Sequence, residues 1–127
     1  MNVVDSCGWL EYFANDANAD FFAPAIEDAA SLIVPSLCLF EVFKRIVLQR
    51  SETDALRAVG LMRQGRCIEL DEHIALSAAR LSVDLKLSMA DSVVLGTARL
   101  HGATVWTQDA HFAGIAGVRY VVKKGKS

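Results

Sequence analysis

Short β-branched runs alternate with longer helical stretches along this chain, and that alternation limits the fold more than any other feature. Strands are expected at residues 2–5 (NVVD), 31–34 (SLIV), 67–70 (CIEL), 103–107 (ATVWT) and 118–122 (VRYVV). Between them, apolar residues recur at helical spacing. Helices are predicted over 8–15, over 19–30 with Phe21, Phe22, Ala25, Ile26 and Ala29 on one stripe, and over 36–49 with Ser36 as N-cap. Three more are predicted over 51–63, over 71–84 with Asp71 as cap, and from 88 to about 101. Ser51 with Asp54, and Ser88 with Asp91, have the S-x-x-D spacing of a capping box. Pro35 is expected to stop the second strand, because it cannot donate to a central ladder. Strands joined by crossovers of this length pair in parallel, with right-handed connections. The predicted architecture is α/β, a three-layer α/β/α sandwich around a central, mostly parallel sheet of about five strands.

The chain has 127 residues, the size of one domain, and residues 1–127 are read as such. A 53% hydrophobic content excludes disorder. The longest run without a charge, residues 29–40, is 12 residues long and contains Pro35. A membrane-spanning helix needs about 20. The first five residues read as a strand with no basic stretch before an apolar one, so no signal peptide is expected and a cytoplasmic location is. Cys7, Cys38 and Cys67 are odd in number and far apart, which argues against a disulfide framework or a zinc knuckle. They are expected to be reduced and mostly buried thiols.

In parallel sheets, ligands bind beyond the carboxyl ends of the strands, where the strand order reverses. Four acids fall at such positions. Asp5 ends the first strand, Glu41 lies early in the helix after the second, Asp91 opens the helix before the fourth, and Asp109 follows the fourth. Each has a structural reading of its own. Asp5 can bond the next helix's first turn, Glu41 can pair with Arg45, Asp91 can complete the box of Ser88, and Asp109 can cap the turn at 110–113. Against these, Glu41 is flanked by Leu39, Phe40, Val42 and Phe43, and Asp91 lies on a stripe with Leu87, Val94, Leu95 and Ala98. Two carboxylates about 4 Å apart repel by about 4 kcal/mol at an effective dielectric near 20. Several in one pocket therefore need protons or a cation. An all-oxygen set suits Mg²⁺ or Mn²⁺, and such ions activate water for phosphodiester hydrolysis. No Ser–His–Asp or Cys–His system is evident. His73, His101 and His111 follow no recognisable motif and are read as non-catalytic.

Four segments carry a family resemblance: VVDSCGWLEYF at 3–13, EVFK at 41–44 after Pro35-Ser36, ADS at 90–92 continuing VVLGTA, and TQDAHF at 107–112. In this order, with successive acids 36, 50 and 18 positions apart, the chain resembles PIN domains, and among them the VapC-type ribonuclease toxins of bacterial toxin–antitoxin pairs. The resemblance implies that Asp5, Glu41, Asp91 and Asp109 are the catalytic acids. Asp5 and Asp91 would ligate the principal metal, and Asp109 a second one, or act through water. Ser6 and Thr107 would orient the carboxylates. It further implies Mg²⁺ (or Mn²⁺), an RNA substrate cleaved by a metal-activated water, a homodimer and a cognate antitoxin.

A net charge of −2 and a pI near 5.9 exclude a protein that grips nucleic acid by bulk charge. A local patch is required instead. Lys44 and Arg45, one turn past Glu41, are candidates, and so is the tail Lys123, Lys124 and Lys126. Trp9, Tyr12, Phe13, Phe21 and Phe22 form a dense aromatic cluster, part core and part candidate patch for an antitoxin helix or a second subunit. A phosphoacceptor receiver domain would need paired acids after the first strand, where Asp5-Ser6-Cys7 has one. A non-catalytic binding or scaffold protein of the same fold is the other alternative.

Overall fold

The computed structural model describes residues 1–124, so Lys126 lies outside the described residues. Its elements are β1 (Asn2–Val4), α1 (Ser6–Phe13), α2 (Ala19–Ile26), β2 (Leu32–Pro35), α3 (Ser36–Gln49), α4 (Glu52–Met62), β3 (Arg66–Ile68), α5 (Glu72–Leu85), α6 (Met89–Leu100), β4 (Thr104–Thr107) and β5 (Val118–Tyr120). Two 3₁₀ turns, Ala29–Ser31 and Ala110–Phe112, precede β2 and β5. The strands form one sheet in the order β3-β2-β1-β4-β5, with every pairing parallel. The architecture is the expected α/β/α sandwich.

The order fixes where a site can lie. The chain lays β1, β2 and β3 outward in one direction, then returns to place β4 on the other side of β1. The reversal therefore falls between β1 and β4, whose register pairs Val4 with Trp106. Their carboxyl ends flank the crevice. β1 is the central strand: Val3 and Val4 are fully buried, as are Ile33, Val34 and Val105 beside them. A central parallel strand covered on both faces is apolar throughout for this reason.

Helix α1 lies close over β1 because Gly8 has no Cβ. A methyl group there would sit 2.6 Å from Phe22 Cε1 and 2.7 Å from Val4 Cγ1. Trp9 and Phe22 complete the core at this point, both buried. Phe13 stacks on Trp9 and Phe21 meets Phe22 edge-on, so the aromatic cluster is largely core, with Tyr12, Phe13 and Phe21 half-buried around it.

Several element ends differ from expectation. Asp5 is the N-cap of α1, which starts at Ser6 instead of residue 8. Ser36 is the first residue of α3 and not its cap, because Pro35 holds that place with φ −60° and ψ 136° and offers no side-chain bond. Pro35 does not end β2 early but pairs with Ile68 as its last residue. Helix α2 stops at Ile26, short of residue 30, and the chain tightens into a 3₁₀ turn. Ser51 and Ser88 accept the amides of Asp54 and Asp91, as the capping spacing predicts. Of the thiols, Cys38 is buried but Cys67 is exposed. Among the described residues, no helix is long and apolar enough to cross a membrane.

Candidate metal centre

The residues after β1 and β4 meet at the reversal point. As the cap of α1, Asp5 accepts the Ser6 amide on Oδ1 at 2.8 Å. Its Oδ2 accepts the Thr107 hydroxyl at 2.9 Å, and the Cys7 thiol lies 3.4 Å from the same oxygen. Thr107, the last residue of β4, is fully buried. Its Oγ1 also accepts the Asp109 amide at 2.9 Å. One hydroxyl thus ties the two strand ends together. Ser6 uses its side chain differently, donating to Glu41 Oε1 at 2.7 Å and so linking α1 to α3. Glu41 meets Ser6, not the Arg45 considered from sequence.

Asp91 and Asp109 come together from α6 and from the turn after β4. One ligand atom from each, together with one from His111, all lie within 4.8 Å of one another. Asp109 also caps its turn, accepting the His111 amide at 2.9 Å. The capping expected of that residue is thus observed, and the same carboxylate also faces Asp91 and His111. Asp91 begins as the capping-box partner of Ser88, but its carboxylate faces Asp109 and His111, with its side chain only 14% exposed.

The segment between Thr107 and Asp109 is clamped from behind. Gln108 is buried; its Nε2 donates to Glu11 Oε1 at 3.0 Å and its Oε1 accepts Asn18 Nδ2 at 2.9 Å. Glu11 Oε2 in turn accepts the Asn18 amide at 2.8 Å. This closed polar set of three buried side chains holds the loop that carries Asp109 against α1.

Crowding of acids shows in their proton affinities. Burial pushes the Asp5 carboxyl up to about 6; the Thr107 hydroxyl opposes the rise and the charge of Asp91 adds to it. Asp91 is raised by burial and then by Asp109, with Ser88 and His111 pulling the other way. Burial and the Asp5 charge lift the Cys7 thiol to about 12, so it is an inert neighbour and not a nucleophile. A divalent cation would reverse these carboxylate shifts. The donor set fits one: carboxylate oxygens on Asp91 and Asp109 within reach of a shared ion, with Asp5 and Glu41 beside them, Asp91 raising the Asp5 carboxyl and Glu41 raising that of Asp91.

The four acids named from sequence therefore lie at one edge of the sheet. The tight group joins Asp91, Asp109 and His111, whereas Asp5 connects to it through Thr107 and through charge, and Glu41 connects to Asp5 through Ser6. Sequence reasoning set His111 aside and gave no role to Cys7, Glu11, Asn18 or Gln108. The available signal for His111 was its place two residues after a turn-capping acid.

The PIN domain family model matches residues 3–118. Among solved structures, a toxin–antitoxin complex from Klebsiella pneumoniae contains a chain 22% identical, with a TM-score of 0.81, over 94% of this chain and 96% of that one. A sarcin-ricin-loop-cleaving VapC toxin from Mycobacterium tuberculosis is 18% identical, with a TM-score of 0.72, over 94% and 99% of the two chains. DNA-bound VapBC from Salmonella typhimurium gives 17% identity and a TM-score of 0.72, over 96% and 98%. These likenesses are of fold. No curated protein matches the sequence.

Proposed function

The chain belongs to the PIN-domain family, and from that premise we propose that it is a metal-dependent endoribonuclease, the toxin of a type II toxin–antitoxin pair acting in the cytoplasm. The observation that carries this is the meeting of Asp91 and Asp109 at the sheet's reversal point, with Asp5 buried and raised beside them. Toxin–antitoxin neighbours of the same fold support the biological setting.

Asp5 and Asp91 are assigned as ligands of the principal ion, Mg²⁺ or Mn²⁺, and Asp109 as ligand of a second ion or of a bridging water. When bound, such an ion polarises the scissile phosphate and lowers the pKa of an attacking water. The protein's own groups do the rest. Thr107 holds the Asp5 carboxylate in one orientation and Asp109 at a fixed distance from it. Ser6 holds Glu41 toward the site. Burial of Asp5 and Thr107 keeps bulk water from replacing these contacts.

For the RNA, Lys44 and Arg45 are exposed on α3 and share with Phe40 and Glu41 a cavity of about 470 Å³. They are assigned to the substrate backbone. For the antitoxin, a cavity of about 240 Å³ between α1, α3 and α4 offers Leu10, Phe13, Ile46 and Leu61 with Arg50 and Arg57, which suits an apolar helix bearing acids. A second copy of the chain is the remaining proposed partner.

The test is Asp91→Asn. The purified variant, with wild-type circular dichroism, is expected to lose cleavage of RNA in Mg²⁺ or Mn²⁺ by a factor on the order of 10² or more, and EDTA is expected to silence the wild type. Wild-type-like cleavage by the folded variant, or undiminished cleavage in EDTA, defeats the proposal.

A further inference from the structure

His111 has no part in the reading above, yet its position is closely determined. Its backbone amide donates to Asp109 Oδ1 at 2.9 Å, and the next residue, Phe112, is fully buried and pins the turn to the core. The ring itself is unpacked, with its side chain 78% exposed. Even so, Nδ1 lies 2.8 Å from Asp109 Oδ1 and 4.0 Å from Asp91 Oδ2. Around an octahedral ion with bonds of about 2.1 Å, neighbouring donors lie about 3 Å apart and opposed donors about 4.2 Å apart. The two observed separations sit close to those values. An exposed ring held there by a single buried anchor has little packing reason to face two acids.

Resting on the metal-site reading, we propose that His111 is a nitrogen ligand of the cation shared by Asp91 and Asp109, and that it makes this site favour a divalent transition ion over Mg²⁺. Imidazole is a borderline donor that first-row transition ions accept readily, whereas Mg²⁺ keeps oxygen ligands and its own water. The Nδ1–Asp109 contact is within hydrogen-bond distance, with donor and acceptor set by the ring's tautomer. As a ligand, Nδ1 would present its lone pair to the ion while the other ring nitrogen carries the N–H toward solvent.

The probes are Mn²⁺ and Mg²⁺ themselves. Titration calorimetry measures their affinities for the wild type, His111→Ala and His111→Gln, and pulsed electron paramagnetic resonance of bound Mn²⁺ reports directly coupled nitrogen. Because the side chain is exposed, both variants are expected to melt with the wild type, and Gln can still bond Asp109 without supplying the ring nitrogen. The expected result is nitrogen coupling in the wild type that disappears in both variants. Mn²⁺ affinity should fall about tenfold or more, with Mg²⁺ affinity changed less than about threefold. Mn²⁺ binding without nitrogen coupling, or an equal loss for both ions, overturns the role of His111 while leaving the acidic site intact. Failure of the wild type to bind either ion overturns the metal-site reading and this inference together.

Discussion

Replacing Asp5 by Asn should make the metal-free protein more stable at neutral pH while destroying its function. Asp5 is 6% exposed, and burial lifts its carboxyl from 3.8 to about 6. Between those two values the folded state holds a proton that the unfolded state has released, so stability falls as pH rises through the window and stays low above it. A shift of about two units corresponds to about 3 kcal/mol by linkage. Asn carries no charge and remains a good N-cap for the Ser6 amide. Its amide group, however, meets Thr107 Oγ1, which already accepts the Asp109 amide, and the Thr107 hydroxyl loses its carboxylate acceptor. About 1 kcal/mol is charged for that mismatch. The net gain at pH 7.5 is therefore about 2 kcal/mol, or roughly 8 °C in Tm for a chain of this size. The assay is urea denaturation of both proteins in EDTA at several pH values. The difference should be full at pH 7.5, shrink through pH 6, and vanish or reverse slightly near pH 4. A variant less stable than the wild type at pH 7.5, or a difference independent of pH, would refute the account of Asp5 as a costly buried charge.

Gly8→Ala should destabilise by about 1–3 kcal/mol, since its Cβ would meet Phe22 and Val4 at 2.6–2.7 Å; thermal melting measures it. Lys44→Ala and Arg45→Ala should each raise KM for RNA and reduce the slope of log affinity against log salt by about one, with kcat unchanged. Cleavage at limiting metal should rise with pH as Asp5, whose carboxyl is raised to about 6, and Asp91, also raised, lose their protons. Added metal should move that rise to lower pH, because ions compete with protons for the same oxygens. A rate profile whose midpoint ignores metal concentration would count against this.

The class of fold and the strand positions were legible because two periodicities alternate without ambiguity, and buried parallel strands read as unbroken apolar runs such as VV and LIV. The boundaries were not, for local reasons. Asp5 reads as a strand end and acts as a cap, because the turn from β1 into α1 spends no residue on a loop. Ser36 has the right chemistry for a cap one position too late, the preceding φ being fixed by proline. The four acids were legible from their places in the alternation: Asp5 and Asp109 just past strands, Glu41 and Asp91 in the first turns of helices. Their inner arrangement was not, since which pair approaches closest depends on where α6 and the 110–112 turn pack, and no sequence spacing encodes that. Gln108, Glu11 and Asn18 look like surface polar residues until the fold buries them against one another.

Position at this site is set more by packing than by the carboxylates' own bonds. Asp5, Ser6 and Cys7 share the first turn of α1, and the seat of α1 depends on a glycine that lets it touch Val4 and Phe22. Displacing the helix by the width of a methyl group would shift three contacts together: Asp5 to Thr107, Ser6 to Glu41, and Cys7 to both strand ends. Buried charge at this point is destabilising, so the acids cannot supply the force that gathers them. The apolar strands and the Trp9–Phe22 layer do that, and the mutual repulsion left over is what a cation can draw on for affinity. A core substitution such as Gly8→Ala should consequently weaken metal binding as well as stability, even though it touches none of the acids.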